Sequence, residues 1–339
     1  VARKEKVPVS IPCFEPFDKG FVPAKPIQMG EYEPEILEQL EKDGLLLKTL
    51  KEDGYKLYAV KSHVGWKLFT DGIRDVSAHV PQITNALSKL KVPNNSMLIG
   101  EGMIYLDGQK SDLSGPQQIF SMKDPAEAVA KQDKIGKLQL MVFYIAFWDG
   151  KSCFDASYCN QVARIETLLR GAGPYIRPVQ VLRESLAEVQ KSVRKSGAEG
   201  LVLYDSEFVS SYRLDGKDPE RVAGCYKWKP EFEDDFIAWG HNVSEKNPAL
   251  VKEVKLTQFE KKTGKFIDCG KYGAFSKSER ERLLTASYPM VLKLTFTKRF
   301  PSGKLREPKK PIFRTDKPWQ KCVTSIDFPR AVYVNILKM

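Results

Sequence analysis

The sequence predicts an α+β protein of two domains, and three observations carry that expectation. Apolar runs of strand length alternate with helical patterns through most of the 339 residues, so strands and helices share the chain. At Pro230-Glu231-Phe232-Glu233-Asp234-Asp235 the composition turns acidic, and beyond it come several strand-like runs with one helical pattern. The charge is also uneven: of the net +11, residues 231–339 hold 22 Lys plus Arg against 13 Asp plus Glu, whereas residues 1–230 are nearly balanced. The expected division is an extended Pro-rich arm over 1–30, a first domain of mainly antiparallel sheets with flanking helices over 31–230, and a small β-domain over 231–339.

Residues 1–30 are rich in Pro and lack periodicity, which predicts an arm lying on the body of the protein. From Glu31 to Asp43, Ile36, Leu37 and Leu40 recur at helical spacing, with Pro34 suited to the first turn and Gly44 just past the end. Leu45-Leu46-Leu47 leads into Lys51-Glu52-Asp53-Gly54, and Tyr55-Lys56-Leu57-Tyr58-Ala59-Val60 follows. This order reads as a hairpin with Asp-Gly as its tight turn, holding Lys51 at a strand end beside a cleft lined by the same sheet. Strands are then expected at 66–69 and 97–106, with a helix over 80–90 between them. Residues 139–148, the most apolar stretch, predict a buried central strand closed by the Asp149-Gly150 turn. Helices at 161–169 and 185–196, a strand at 199–205, a polar loop over 212–224 and a strand at 225–229 complete the first domain. Beyond the acidic junction, strands at 236–239, 251–259, 266–269 and 290–296 are interrupted by one helix at 276–284. That count in so short a domain predicts a small Greek-key barrel of the OB type.

Composition excludes several classes of function. There is no apolar run of membrane-spanning length, and Val1-Ala2-Arg3-Lys4 does not open a secretory signal, so neither a span nor a leader is expected. Six cysteines without C-x-x-C spacing and three histidines do not make a zinc site; free thiols in a reducing, intracellular compartment are expected. A basic C-terminal third attached to a balanced domain points to a polyanion, because Lys and Arg gain by displacing counterions from phosphates.

Several strands carry charges that packing alone does not require. Glu101 lies between Ile99 and Met103, Glu199 opens a Val/Leu strand, and Lys227 and Lys229 flank Trp228 so that both point to one face. Buried charges are costly unless paired or bound to a ligand. The order Lys51-x-Asp53-Gly54, Gly100-Glu101, Phe143-Tyr144-Ile145-Ala146-Phe147-Trp148-Asp149-Gly150, Glu199-Gly200-Leu201-Val202 and Lys227-Trp228-Lys229 resembles the motif series of the covalent nucleotidyltransferases. Within that superfamily, Leu305-Arg306-Glu307-Pro308 and Ile312-Phe313-Arg314-Thr315-Asp316-Lys317 resemble the segment closing the OB domain of ATP-dependent DNA ligases, of the compact phage or viral type.

The resemblance implies an ATP-grasp-like nucleotidyltransferase domain followed by an OB-fold β-barrel. It implies that Lys51 attacks the α-phosphate of ATP and becomes a lysyl-AMP, with Lys227 and Lys229 favouring the neutral amine and then neutralising the phosphate. Thr49, Leu50, Asp53, Gly54 and Lys56 would surround the nucleotide, Glu101 would accept from the ribose and Phe143 would stack on the adenine. Glu199 with Glu101 would hold Mg²⁺, with Mn²⁺ as the alternative. Arg314, Asp316 and Lys317 would orient the leaving phosphates when the terminal domain closes, and that domain would then reopen to grip DNA. The implied partner is nicked duplex DNA, in replication, repair and recombination, with a monomeric protein acting in the cytoplasm, or in a host's if viral. The sequence departs from the ligase pattern at Lys56, where K-x-D-G-x-R has Arg; at Phe69-Thr70-Asp71-Gly72, where Ser-Arg precedes the Gly and Arg74 is the nearest substitute; and at Gly100, where Asp is usual. A capping guanylyltransferase using GTP, an RNA ligase and a non-catalytic OB-fold binding protein are the alternatives.

Overall fold

A computed structural model describes residues 16, 19–28, 34–106, 109–110, 114–326, 328, 330–334 and 336. The chain divides into two compact units, Val1–Trp228 and Lys229–Met339. The first part of the predicted arm lies mostly outside the described residues.

The principal strands of the first unit are β1 (Leu46–Lys51), β2 (Tyr55–Ser62), β3 (Gly65–Thr70), β4 (Ser96–Leu106), β5 (Leu138–Trp148), β6 (Gly200–Asp205) and β7 (Cys225–Trp228). They form two sheets. One runs β1-β6-β7, with Val181–Leu182 beside β1 and Ile27–Gln28 beside β7; the other runs β5-β4-β2-β3, with Ile176–Pro178 beside β5. The pairing is antiparallel except at the two edges, Ile176–Pro178 on β5 and Ile27–Gln28 on β7.

Side-chain alternation explains how the sheets stack. Along β2, Leu57 and Ala59 join one buried cluster with Ile83 and Leu87 of the helix Pro81–Ser88, while Tyr58 and Val60 join another with Tyr144, Tyr204 and Cys225. In the first sheet, Leu201, Leu203 and Trp228 pack with Val189 and Val193 of the helix Leu186–Ser196. The two sheets therefore face each other across the tyrosine-rich cluster, with helices on their outer faces. A fully buried residue such as Leu57 contributes about 1.5–3 kcal/mol to this packing.

The predicted hairpin at Lys51–Tyr55 does not form. Lys51 pairs with Gly200 in one sheet, whereas Tyr55 pairs with Gly102 in the other, so Glu52-Asp53-Gly54 is a crossing between sheets. Neither Asp53 nor Gly54 adopts the positive φ that the tight hairpin turn would need. Gly54 is required for a different reason: a Cβ there would collide with Met103 Sδ and stand 2.5 Å from the Gly102 carbonyl oxygen. The cleft beside Lys51 is accordingly walled by two sheets. The predicted loop over 212–224 also holds a strand, because Tyr212–Arg213 pairs with Val22–Pro23.

The second unit contains β8 (Phe232–Val243), β9 (Val251–Glu260), β10 (Lys265–Tyr272), β11 (Met290–Phe296) and β12 (Lys309–Phe313), ordered β12-β11-β8-β9-β10 with Tyr333–Val334 beside β10. The helix Lys277–Leu284 begins with a capping box between Ser276 and Glu279. Among the described residues the edges Lys309–Phe313 and Tyr333–Val334 do not pair, so the predicted OB barrel is not seen as a closed one. The acidic run read as a junction is the start of β8. Its carboxylates are neutralised by facing cations, Glu233 by Lys293, Asp234 by Arg299 and Asp235 by Lys317.

Candidate active site

Between the two sheets of the first unit lies a cavity of about 380 Å³, a volume suited to a nucleotide-sized ligand. β1 contributes Thr49, Leu50 and Lys51, β4 contributes Ile99 and Glu101, and β5 contributes Met141, Phe143 and Tyr144. Val202 and Tyr204 of β6 and Cys225 and Lys227 of β7 continue the β1 wall and face the β4 and β5 residues. One part of the lining is apolar and aromatic, and the other is charged.

Lys51 closes the charged part. The β1–β6 register sets it opposite Gly200, so its side chain meets that of Glu199, and Nζ donates to Glu199 Oε2 at 2.8 Å. Glu199 is almost fully enclosed, with 6% of its side chain exposed against 27% for Lys51. Glu101 accepts a hydrogen bond from the Gly54 amide, so the crossing segment that positions Lys51 is tied directly to a carboxylate of the opposite sheet. Burial, reinforced by the charge of Glu199, pushes the Glu101 carboxyl up to about 7, although Lys51 and Lys56 pull against it. One ammonium and two carboxylates thus share the same corner.

A second ionic group involves Lys56, Asp71 and Tyr58. Lys56 Nζ lies 2.8 Å from Asp71 Oδ1 and 5.3 Å from the Tyr58 ring centroid, and the Tyr58 hydroxyl donates to the same Asp71 oxygen at 2.8 Å. Burial raises the Asp71 carboxyl, but Lys56 and the Tyr58 hydrogen bond outweigh it and leave it below the ordinary range. Asp71 and Tyr58 were not singled out as site residues by sequence. Their signal was present in the departure at Phe69-Thr70-Asp71-Gly72, where an acid takes part in place of the expected base. Arg74 is exposed and does not line the cavity; its amide donates to Thr70 Oγ1 at 3.3 Å.

The remaining predicted residues separate by role. Thr49 Oγ1 donates to the Val202 carbonyl at 3.2 Å, tying β1 to β6. Leu50, Phe143 and Lys227 line the cavity, whereas Asp53 is buried and Gly54 is wedged against β4. Lys229, Arg314, Asp316 and Lys317 belong to the second unit. Lys229 Nζ donates to Glu307 Oε1 at 2.7 Å. Arg314 holds Asp316 in a two-pronged pair at 2.8 Å for each bond and drives its carboxyl down to about 2, while Lys317 Nζ donates to Asp235 Oδ2 at 2.7 Å.

Among the described residues no three His, Cys, Asp or Glu groups converge as a metal cage. The Glu101–Glu199 pair suits a cation that takes one or two carboxylates and completes its shell with phosphate oxygens and water, as Mg²⁺ does. No helix among the described residues is long and apolar enough to cross a membrane.

A lysine paired with a buried glutamate across adjacent strands of one sheet, with a second glutamate supplied by the opposite sheet, forms the charged corner of this cavity. A family model described as ATP dependent DNA ligase domain matches residues 28–229, and the chain belongs to that family. It is 24% identical over 228 residues to DNA ligase 1 of Methanosarcina mazei, covering 63% of this chain and 39% of that protein. It is 21% identical over 267 residues to a DNA ligase of Thermococcus fumicolans, covering 75% and 45%. The chain therefore spans less than half the length of these relatives. A solved structure of a Lig E DNA ligase shares the fold at a TM-score of 0.60 and 17% identity, covering 86% of this chain and 98% of that one. Family membership does not favour the capping guanylyltransferase, RNA ligase and non-catalytic alternatives.

Proposed function

We propose that the protein is an ATP-dependent DNA ligase that seals nicks carrying a 5′-phosphate and a 3′-hydroxyl. The observation that carries this reading is the Lys51–Glu199 pair at 2.8 Å, beside Glu101 and at the edge of a cavity in a ligase-family domain.

In this reading the lone pair of Lys51 Nζ attacks the α-phosphorus of ATP. The P–N bond forms as the bond to the bridging oxygen breaks, and pyrophosphate leaves. Lys227 and Lys229 favour the neutral amine and counter the charge that builds on the phosphate. Phe143 stacks on the adenine, Glu101 accepts from the ribose, and Thr49, Leu50, Asp53, Gly54 and Lys56 shape the surrounding wall. Glu199, with Glu101, would hold Mg²⁺, which supplies positive charge to the phosphate oxygens when bound. Arg314, Asp316 and Lys317 orient the departing β- and γ-phosphates.

An oxygen of the nick's 5′-phosphate then displaces Lys51 from the AMP phosphorus. Finally the 3′-hydroxyl attacks the activated 5′-phosphate and AMP leaves. We assign the second unit to an OB-type domain, which its five principal strands, bulged along β8, β9 and β10, and the helix Lys277–Leu284 support without a closed barrel. Its positive charge suits DNA, read through phosphate and sugar with little sequence preference. The proposed setting is intracellular, and the acting species a monomer.

The test is to incubate the protein with Mg²⁺ and α-labelled ATP, denature it and look for retained label, using protein freed of pre-existing AMP. Label from ATP, absent in Lys51→Ala and chased onto nicked duplex, is the expected result. Label from GTP alone, or no adduct with either nucleotide, overturns the reading.

A further inference from the structure

The described part of the N-terminal arm is fixed at both ends to the first unit. Val22–Pro23 pairs with Tyr212–Arg213, the Ala24 amide donates to the Ser211 carbonyl at 2.9 Å, and Ile27–Gln28 pairs in parallel with Tyr226–Lys227. Phe21, 4% exposed, anchors it among the rings of Tyr58, Phe147, Phe154 and Tyr212 at centroid distances of 5.7–6.0 Å. The chain between these anchors, Pro23 to Pro26, forms one wall of the cavity. Prolines on both sides of Ala24-Lys25 limit its freedom, so Lys25 is presented from a stiff support.

Lys25 is the cation of that wall. Its Nζ donates to Asp218 Oδ1 at 2.8 Å, and half of its side chain is exposed. Its charge also acts on Asp71, which holds Lys56, so Lys25 and Lys56 belong to one electrostatic cluster on the cavity lining. The cluster contains two ammoniums and two carboxylates. Asp218, 67% exposed, holds Lys25 through a solvated pair, which contributes little. A phosphate offers more charge and more acceptor oxygens, and can take the ammonium from Asp218 at little cost.

Resting on the ligase reading, we propose that Lys25 is a phosphate-binding residue of this cavity, acting beside Lys56. Lys25 lies outside residues 28–229, the part matched to the family. Asp218 holds the ammonium in place until a phosphate arrives. That phosphate is either one of the nucleotide's or the 5′-phosphate of the nick, and both present the same chemistry.

Three measurements on Lys25→Ala, Lys25→Arg and Asp218→Asn test this. Inorganic tripolyphosphate is first used as a probe of thermal unfolding, a readout that requires no catalysis. The expected result is a rise in melting temperature in wild type and Lys25→Arg, a smaller rise in Lys25→Ala, and an equal or larger one in Asp218→Asn. Single-turnover adenylylation with ATP and AMP transfer from preformed lysyl-AMP protein to a 5′-phosphorylated nick then locate the phosphate. A loss of about fivefold or more in adenylylation assigns Lys25 to the nucleotide, and a loss in transfer alone assigns it to the nick; Arg restores either. An undiminished tripolyphosphate response in Lys25→Ala overturns the proposal, as does a loss that Arg does not restore. Wild type that forms no lysyl-AMP while keeping the Lys25-dependent response refutes the ligase reading and leaves the phosphate site standing.

Discussion

Two ionic clusters, one in each unit, are built from the same kinds of group and differ in burial. At the cavity, Glu101 and Glu199 lie beside the ammonium of Lys51, and burial drives the Glu101 carboxyl up to about 7. In the second unit, half-buried Asp235 meets Arg314 and Lys317, while Asp316, 67% exposed, pairs with Arg314 and is held down at about 2. The first cluster leaves a carboxyl able to change charge near neutrality. In the second, Asp316 keeps its charge through the same range. The difference teaches that solvent access, more than composition, decides which carboxyl changes charge near neutrality.

The largest effect should come from breaking the buried pair. Glu199→Gln keeps the shape of the side chain but removes the carboxylate that would hold Mg²⁺, and adenylylation should fall by about 10²-fold or more. Single-turnover labelling with α-labelled ATP measures this, and a loss below about threefold would reduce Glu199 to a packing partner.

A smaller effect, with a definite sign, belongs to Glu101. Its folded carboxyl ionises at a higher pH than the unfolded one, so the folded state retains the proton while the unfolded chain loses it. Stability should therefore fall as pH rises from about 4.5 to about 7, and the full cost should persist above that. Glu101→Gln cannot ionise. It should match wild type near pH 4.5 and exceed it at pH 8.5 by on the order of 1–3 kcal/mol, read by urea unfolding at both values. A constant offset would show that the carboxylate is compensated in place.

The smallest stability effect is expected in the exposed cluster. Arg314→Gln should leave the neutral-pH melting temperature nearly unchanged. Its effect through Asp316 is present above the ordinary Asp range and is lost as pH falls toward about 2, so the small difference from wild type at pH 7 should vanish under acid. Melting curves at pH 7 and under acid check this, and a large loss at pH 7 would erase the contrast between the clusters.

Much of the fold was legible because periodicity is local. The alternation in β2, the long apolar β5 and the helix ended near Ser196 each follow from side chains a few residues apart. The Asp53-Gly54 turn misled for the same reason, since the pair is a hairpin signal by itself, while the decisive contact is Gly54 against Met103 on a distant strand. The acidic run at 231–235 marks the junction beside the unit boundary at 228/229, but that it opens β8 was hidden because its neutralising partners, Lys293, Arg299, Arg314, Lys317 and Lys309, lie far along the chain.

The sequence by itself determined the strand and helix periods, the basic C-terminal third, and the ordered set running from Lys51 through Glu101, Phe143 and Glu199 to Lys227. Only the tertiary structure decided that Lys51 and Glu199, 148 residues apart, meet at 2.8 Å. It also decided that β1 and β2 part into different sheets and that Lys25 reaches the cavity wall. The physical reason is that a strand's own residues specify its two faces, whereas its partner is chosen by the burial and register of strands folded from elsewhere in the chain.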